Sequence, residues 1–183
     1  MSATPFRCSI RLILSDLDRN VYAQQVVTVA QFPDEPDEHI LLRFLAHTLW
    51  HEEALQAGQG WQDPHEPDLW AHDLTGALTL WIECGEVPMR RFAKALGRSK
   101  SARFVCVFAH QADAEQFARA LKAERPRHTD HLETWLIPHE FVAWLESVGK
   151  RNMVWTATIT EGTLFLDSDG NSGECQPQRL QLL

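Results

Sequence analysis

The chain has 183 residues, of which 44% are hydrophobic and 23% are charged, proportions close to those of ordinary globular proteins. Its length predicts a single domain, residues 1–183, with a full core. The formal net charge of −8 argues against a broad nucleic-acid-binding surface, which needs clustered lysine and arginine, but it is compatible with a local basic cleft. No segment approaches the roughly eighteen apolar residues of a membrane span and no signal core is visible, so we expect a cytoplasmic protein without membrane contact.

The N-terminal residues predict a β-hairpin. Apolar and polar side chains alternate over 6–14, which is the period of a half-buried strand. A turn-rich segment at 16–20 separates this strand from a second one at 21–30. The two strands are therefore expected to pair as a hairpin.

A helix is predicted to follow the hairpin. Prolines and acids at 33–38 are typical of a helix start, with Asp34 as the N-cap and the acids complementing the helix dipole. Apolar residues then recur at helical spacing as far as Leu49, so we expect one face of this helix to pack on the core.

Strands and helices alternate in the second half of the chain. The pattern predicts, in order, a strand at 77–85, a helix at 89–96 ended by Gly97, a strand at 104–108, a helix at 111–122, a strand at 133–137, a helix at 138–148, a hairpin at 153–167 and a loop at 169–173. Strands joined by helices run parallel, whereas hairpin strands run antiparallel. The predicted fold is therefore α/β, with a mixed sheet, helices on both faces, and β-hairpins at both ends of the chain.

Four cysteines are widely separated in the sequence. Cys8, Cys84, Cys106 and Cys175 include no Cys-x-x-Cys pair. In a chain of this length such spacing predicts reduced, partly buried thiols and not a disulfide framework or a zinc site.

Acidic residues and a lysine follow one another between residues 66 and 98. Glu83 lies near the C-terminal end of a predicted central strand, where sites in α/β folds tend to form. Asp68 and Asp73 precede it, and Lys94 lies on the next helix. Converging carboxylates suit Mg²⁺, with Mn²⁺ as a substitute, and a lysine would help to neutralise phosphoryl charge. A structural ion pair is the commoner explanation for charges at such loose spacing, and the spacing alone leaves both open.

The densest cationic stretch surrounds the same helix. It comprises Arg90, Arg91, Lys94, Arg98, Lys100 and Arg103. A solvated helix face is the simpler interpretation. The alternative is a local basic cleft for nucleic acid formed by Arg91, Lys94 and Arg98.

Histidines and tryptophans offer weaker candidates. His47 and His51 have the i, i+4 spacing of a zinc pair, but the Glu-x-x-His frame is missing, and we expect helix-surface histidines. Trp70 and Trp81 flank the acidic region and could stack on a base, although packing is the default.

The central block resembles that of the YaeQ family. The matching segments are Glu66-Pro-Asp-Leu-Trp70, Asp73-Leu-Thr-Gly76, Leu80-Trp-Ile-Glu-Cys-Gly85, Arg91 and Lys94-Ala95. The first hairpin, the first helix and the closing hairpin are also similar to the family pattern, so the resemblance covers nearly the whole chain.

The resemblance implies a fold related to the PD-(D/E)XK nucleases, with a restriction-endonuclease-like core and a modified site. Asp68 of Pro67-Asp68 would match the Pro-Asp element, and Glu83 would match the acid of the (D/E)XK element. Asp73 is the alternative to Asp68 as a metal ligand. Glu38 on the first helix would be the accessory acid that many of these nucleases carry.

Two departures from the family pattern affect the expected function. Gly85 occupies the position of the motif lysine, which makes Lys94 the candidate substitute, and Thr79 stands where family members usually carry an acid. Two functions therefore remain open. One is Mg²⁺-dependent phosphodiester hydrolysis, and the other is a catalytically inactive nuclease-fold protein that binds a protein or nucleic acid as a regulator.

Overall fold

The structure is a computed structural model that describes residues 5–59, 61 and 65–181. Its strands are β1 (Phe6–Asp16), β2 (Val21–Gln31), β3 (Gln56–Ala57), β4 (Leu69–His72), β5 (Leu78–Cys84), β6 (Arg103–Phe108), β7 (Leu132–Leu136), β8 (Asn152–Thr160), β9 (Thr163–Ser168), β10 (Asn171–Cys175) and β11 (Gln178–Leu180). Its helices are α1 (Asp37–Leu49), α2 (Met89–Arg98), α3 (Gln111–Glu124) and α4 (His139–Val148), with a 3₁₀ turn at Thr129–His131. The mixed α/β class and both predicted hairpins, β1–β2 and β8–β9, are confirmed.

The described chain divides into two compact units. The first contains the residues up to His51 together with Ile137–Pro177, and the second contains Glu52–Leu136 and the residues from Gln178 onward. Each unit has its own sheet. The sequence predicted one mixed sheet, which is wrong, because an alternating pattern identifies a strand but carries no information about the sheet that the strand joins.

The first unit is built on a five-stranded mixed sheet with the order β10-β9-β8-β1-β2. β1 pairs antiparallel with β2 and parallel with β8, which comes from the other end of the chain. The alternation predicted for β1 is present: Ile10, Leu12 and Leu14 are buried, and the strand contacts α1. α1 and α4 also pack against each other, so the apolar face of the sheet is covered by helices.

The second unit is built on a six-stranded sheet with the order β11-β7-β6-β5-β4-β3. The three central strands β5, β6 and β7 run parallel and are joined by α2 and α3. β4 and β11 pair antiparallel with β5 and β7, and β3 pairs antiparallel with β4. Phe92, Phe104 and Phe117 form the centre of an aromatic core beneath the two helices. β6 is buried on both faces from Phe104 to Phe108, as its continuous apolar sequence predicted.

Some local predictions differ from the structure. α1 begins at Asp37, with Pro36 and not Asp34 at the N-cap, because a proline disfavours the helical conformation of the residue before it, so the helix does not extend back past Pro36. α2 continues through Gly97 to Arg98, so Gly97 does not end it. The predicted loop at 169–173 overlaps strand β10, whose Gly173 lets the Trp144 ring of α4 lie against the strand: a Cβ there would be only 2.7 Å from that ring.

None of the described helices combines the length and apolar character that crossing a membrane requires.

Candidate functional site

Two acids lie opposite each other where β4 pairs with β5. The register pairs Leu69 with Ile82, which puts Asp68, one residue before β4, opposite Glu83. Side chains in such opposed positions have Cβ atoms about 5 Å apart. Both residues are buried, with 3% of Asp68 and 1% of Glu83 exposed. The hairpin register thus brings together the two carboxylates that the sequence singled out as Pro-Asp and strand acid.

Hydrogen bonds fix both carboxylates. The backbone N–H of Cys84 donates to Oδ2 of Asp68 at 2.8 Å. Nε1 of Trp81 donates to Oε1 of Glu83 at 2.9 Å, and Nη2 of Arg91 donates to Oε2 at 2.6 Å. Trp81 shares the strand face of Glu83, as the period of the strand predicted. The two acids are therefore held in one orientation by backbone, indole and guanidinium donors.

Arg91 reaches Glu83 from the first turn of α2. The helix begins at Met89, only a short loop after β5 ends at Cys84, so its first turn lies next to the end of that strand. Phe92 and Leu96 bury the apolar stripe of α2, and the adjacent Arg91 side chain is only 10% exposed. The sequence placed Arg91 in the basic cleft but did not predict this ion pair. Its proximity to the strand end is the signal that could have indicated it.

The pKa of Glu83 is raised from 4.5 to about 7. Burial of the carboxyl group is the main cause and the negative charge of Asp68 adds to it, whereas Arg91 and the hydrogen bond from Trp81 act in the opposite direction. Ionised Glu83 is thus under-compensated by its surroundings. A proton or a cation bound at this carboxylate would relieve that cost.

Cys106 lies beside Glu83 on the neighbouring strand. β5 and β6 pair in parallel with Glu83 opposite Cys106. Burial, followed by the charges of Glu83 and Asp68, raises the pKa of the Cys106 thiol well above its ordinary value. The thiol stays protonated and unreactive, in agreement with the structural role predicted for the cysteines.

Asp73 lies at the other end of the same hairpin. Its Oδ1 accepts hydrogen bonds from the backbone N–H and hydroxyl of Thr75 and from the N–H of Ala77, so it organises the turn between β4 and β5. The hydrogen bond from the Thr75 side chain is the main reason that the pKa of Asp73 is lowered. Asp68 and Asp73 are separated by the length of β4, about 15 Å at the usual strand rise. The structure therefore does not bring Asp73 to Glu83.

Lys94 and Arg98 lie on the exposed side of α2. The charged neighbours that shift the pKa of Glu83 are Asp68 and Arg91, and Lys94 is not among them. Within the cationic stretch, the geometry separates Arg91, which faces the carboxylates, from two cations that face solvent.

Glu38 and the helix that carries it belong to the first unit. Oε2 of Glu38 lies 3.8 Å from Nδ1 of His139 on α4, and the side chain is partly buried. Its predicted role as an accessory acid stays a prediction. Thr79, at the position where the family pattern carries an acid, is exposed on β5.

A row of ionisable residues runs along α1 and the residues that flank it, and the sequence indicated only the pair His47 and His51. Glu35, His39, Arg43, His47 and His51 follow at intervals of four residues and are all buried. Oε1 of Glu35 lies 2.6 Å from Nδ1 of His39 and 3.4 Å from Nη1 of Arg43. The expectation that His47 and His51 lie on the helix surface is wrong, because α1 is buried along nearly its whole circumference from His39 to Thr48. The interval of four was the available signal.

The two tryptophans near the acids both contact the core of the second unit. Trp81 is buried, and its ring lies 6.1 Å from that of Phe104 in the core. Trp70 is half-buried and meets Trp81 edge to face at 6.3 Å. Packing, the default interpretation, accounts for Trp81.

A family model and individual relatives of this chain both point to the same protein family. The family model described as YaeQ protein matches residues 1–177. The YaeQ protein of Escherichia coli strain K12 is 29% identical over 174 residues, 95% of this chain and 93% of that protein, and that of Salmonella typhi is 29% identical over 176 residues, 96% and 94% of the two chains.

Two crystal structures have the same fold. The YaeQ protein of Xanthomonas axonopodis pv. citri superposes with a TM-score of 0.85 at 29% identity, covering 97% of this chain and 99% of that one. The YaeQ protein of Pseudomonas syringae superposes with a TM-score of 0.85 at 27% identity, covering 97% and 96%. Sequence and fold therefore agree along nearly the whole length, and the chain belongs to the YaeQ family.

Proposed function

We propose that the protein is a metal-dependent phosphodiesterase acting on nucleic acid, with Asp68 and Glu83 as the ligands of Mg²⁺. The observation that carries the proposal is the burial of these two carboxylates opposite each other, with a charge on Glu83 that its surroundings do not fully balance. Carboxylate oxygens are the ligands that Mg²⁺ prefers, so this pair fits the ion. Bound Mg²⁺ would supply a Lewis acid that activates water and neutralises phosphoryl charge.

The chain's own residues divide the remaining work. Arg91 donates a hydrogen bond to Glu83 and so brings its guanidinium group next to the carboxylate pair. There it would also bind a phosphate oxygen of the substrate. Lys94 and Arg98, exposed on the same helix, would contact the phosphate groups on either side of the phosphodiester bond that is cleaved. Asp73 has no part, because its carboxylate is committed to the β-turn.

The missing motif lysine has a conformational explanation. Gly85, which would match the lysine position of PD-(D/E)XK nucleases, has a φ of 67°, and its N–H donates to the carbonyl of Val107 at 2.7 Å. A side chain is strained at this φ, whereas glycine is not. A positive charge near Glu83 therefore comes from the next helix, and Arg91 is the residue that supplies it.

A second function is favoured by a specific observation. Both carboxylate oxygens of Glu83 already accept a hydrogen bond, one from Trp81 and one from Arg91, so an ion would have to displace a donor or share an oxygen with it. A carboxylate committed in this way suits a catalytically inactive member of the nuclease fold that regulates by binding protein or nucleic acid.

Binding of Mn²⁺ separates the two functions. We expect one Mn²⁺ ion to bind the wild-type protein, measured by electron paramagnetic resonance or calorimetry, and Asp68→Asn and Glu83→Gln to abolish that binding. Cleavage of single- and double-stranded DNA and RNA should fall in both variants by at least about 100-fold, because even the outer partners of metal ligands are typically worth 10- to 100-fold. Asp73→Asn is the matched control, an acid of the same hairpin that should change neither quantity. Absence of Mn²⁺ binding at millimolar concentration, or equal cleavage by Glu83→Gln and wild type, would leave only the binding function.

A further inference from the structure

The edge strands of the two sheets differ greatly in length. In the described chain, the strands at the ends of the sheets are β3 with two residues, β11 with three, β10 with five and β2 with eleven. Proteins keep edge strands short or charged because a long edge offers unpaired N–H and C=O groups to another chain. β2 is thus the one edge in the described part of the protein that is long enough to accept a full partner strand.

The edge of β2 also lacks the usual chemical protection. Val21–Gln31 contains no charged residue, no proline and no glycine. Tyr22 and Val26 are 63% and 62% exposed. Half of the backbone N–H and C=O groups of β2 face β1 and pair with it. The other half point away from the sheet, and no other strand among the described residues pairs with them. An extended strand is the ligand that such a row fits.

The side chains on the outer face of β2 form a palindrome. Their order is Tyr22, Gln24, Val26, Thr28, Ala30, in which apolar and polar residues alternate symmetrically about the centre. If a second, antiparallel copy is related by a two-fold axis at Val26, Val26 meets itself, Gln24 meets Thr28, and Tyr22 meets Ala30. Apolar residues then face apolar ones, and polar residues face polar ones.

Other registers are worse. Moving the axis by one residue pairs Gln24 with Val26 or Val26 with Thr28, which opposes polar and apolar groups. Moving it by two restores the match but shortens the paired segment. Only the axis at Val26 uses all eleven residues of the strand.

We propose that β2 pairs with β2 of a second copy of this chain, antiparallel and centred on Val26, joining two five-stranded sheets into one continuous sheet. The symmetry of the face pattern selects a second copy over an unrelated strand. Charge agrees with this choice. Each copy carries a net charge of −8, so two copies associate best through a strip without charges. The nearest charge beside Val26, Arg11 on β1, lies about 14 Å from its symmetry mate at the usual strand spacing, beyond a Debye length at moderate salt.

Sedimentation equilibrium over a range of protein concentrations tests the association. Wild-type protein should be a reversible dimer, and Val26→Lys should raise its dissociation constant by at least about tenfold, because two ammonium groups would face each other at the axis. Val154→Lys is the matched control. Val154 is a 41% exposed valine on the same sheet face, since Arg11 pairs with both valines, but it lies on β8, two strands from the edge. This variant should dimerise like wild type.

Cross-linking tests the register independently of variant stability. Val26→Cys should form an intermolecular disulfide on mild oxidation, because opposed residues of antiparallel strands bring their Cβ atoms within reach of a disulfide. Val154→Cys should not, and the four native cysteines are buried, which keeps the background low. A monomeric wild type, a dimer unaffected by Val26→Lys, or equal cross-linking of the two thiol variants would overturn the proposal. If the protein is a monomer and binds an extended peptide along β2, the partner strand of this edge belongs to a different protein.

Discussion

At Glu83, burial and a neighbouring like charge act on a single carboxyl group. Oε1 and Oε2 each accept one hydrogen bond, yet the pKa rises to about 7, so the two donors do not offset desolvation and Asp68. Such a group gains little as a structural ion pair at neutral pH, because its ionisation costs stability. Perturbed acids of this kind concentrate at functional sites.

The stability of the protein should therefore depend on pH through Glu83. Its pKa is about 7 in the folded protein and 4.5 without the protein environment, so between these values the folded state binds more protons than the unfolded chain. The free energy of unfolding then falls as the pH rises from about 5 to 8, by up to about 3 kcal/mol from this group. Urea denaturation of wild type and Glu83→Gln across this range should show the difference, since the amide does not titrate.

Asp73→Asn is the control for that dependence. The pKa of Asp73 is lowered, so its contribution to stability is present above its ordinary pKa and is lost only as the pH falls below it. The variant should follow the wild-type curve between about pH 5 and 8. Parallel curves for wild type and Glu83→Gln would contradict the raised pKa of Glu83.

At this scale the sequence identified the acids better than the cation. Asp68 was recognisable from its Pro-Asp pair, which resembles the family pattern, and Glu83 from its place near the end of a predicted strand, on the same face as Trp81. The separation of Asp68 from Asp73 was not, because it depends on where the hairpin turns. Arg91 and Lys94 differ by three positions on α2, and only the packing of Phe92 and Leu96 decides which of them points at the strand.

The helix α1 shows how a buried element can carry charge. Glu35 is the anchor of its polar row: it accepts hydrogen bonds from the N–H of Phe32 and from Arg43, and its Oε1 lies within hydrogen-bond distance of His39. Arg43 is 1% exposed, so its guanidinium depends on acceptors within the protein. Burial lowers the pKa of His51 at the other end of the row, and the charge of Arg19 adds to this effect.

Removing the anchor should destabilise the protein strongly. Glu35→Ala withdraws the carboxylate from a buried cation, a change that typically costs about 3 kcal/mol or more of unfolding free energy. Asp37→Ala removes an exposed acid two residues away, whose carboxylate accepts a hydrogen bond from Gln31, and should cost less than about 1 kcal/mol. Urea denaturation of both variants measures the contrast. Equal losses would mean that the buried row contributes no more than a surface acid.

Among the elements, the ones with a strong period were predictable. β1 has alternating apolar residues, β6 is continuously apolar, and the four helices have apolar residues at the helical period of 3.6. The structure contains all six elements. β10 was read as a loop because its polar, glycine-containing sequence matches a turn, and it is a strand only because β9 and Trp144 hold it. β4 is too short for a period to be visible.

At the scale of the whole molecule, long-range pairing was beyond the reach of sequence patterns. β1 pairs in parallel with β8, which lies near the other end of the chain. β7 pairs with β11, and the sequence between these two strands belongs to the first unit. No local signal encodes these choices, since any two strands with a buried face are compatible by pattern alone. The single domain predicted from chain length stays a prediction.

Because the net charge is −8, added salt should have opposite effects on the two proposed associations, the dimer through β2 and the complex with nucleic acid. Two copies joined at β2 repel each other through their overall charge, so screening should lower the dimer dissociation constant as salt rises from about 0.02 to 0.3 M. Nucleic acid held by Arg91, Lys94 and Arg98 would respond in the opposite direction, because phosphate contacts are weakened by salt. Sedimentation measures the first association and fluorescence anisotropy of a labelled oligonucleotide measures the second. A dimer that weakens with added salt would mean that ion pairs hold the two copies together, which the uncharged β2 edge cannot supply.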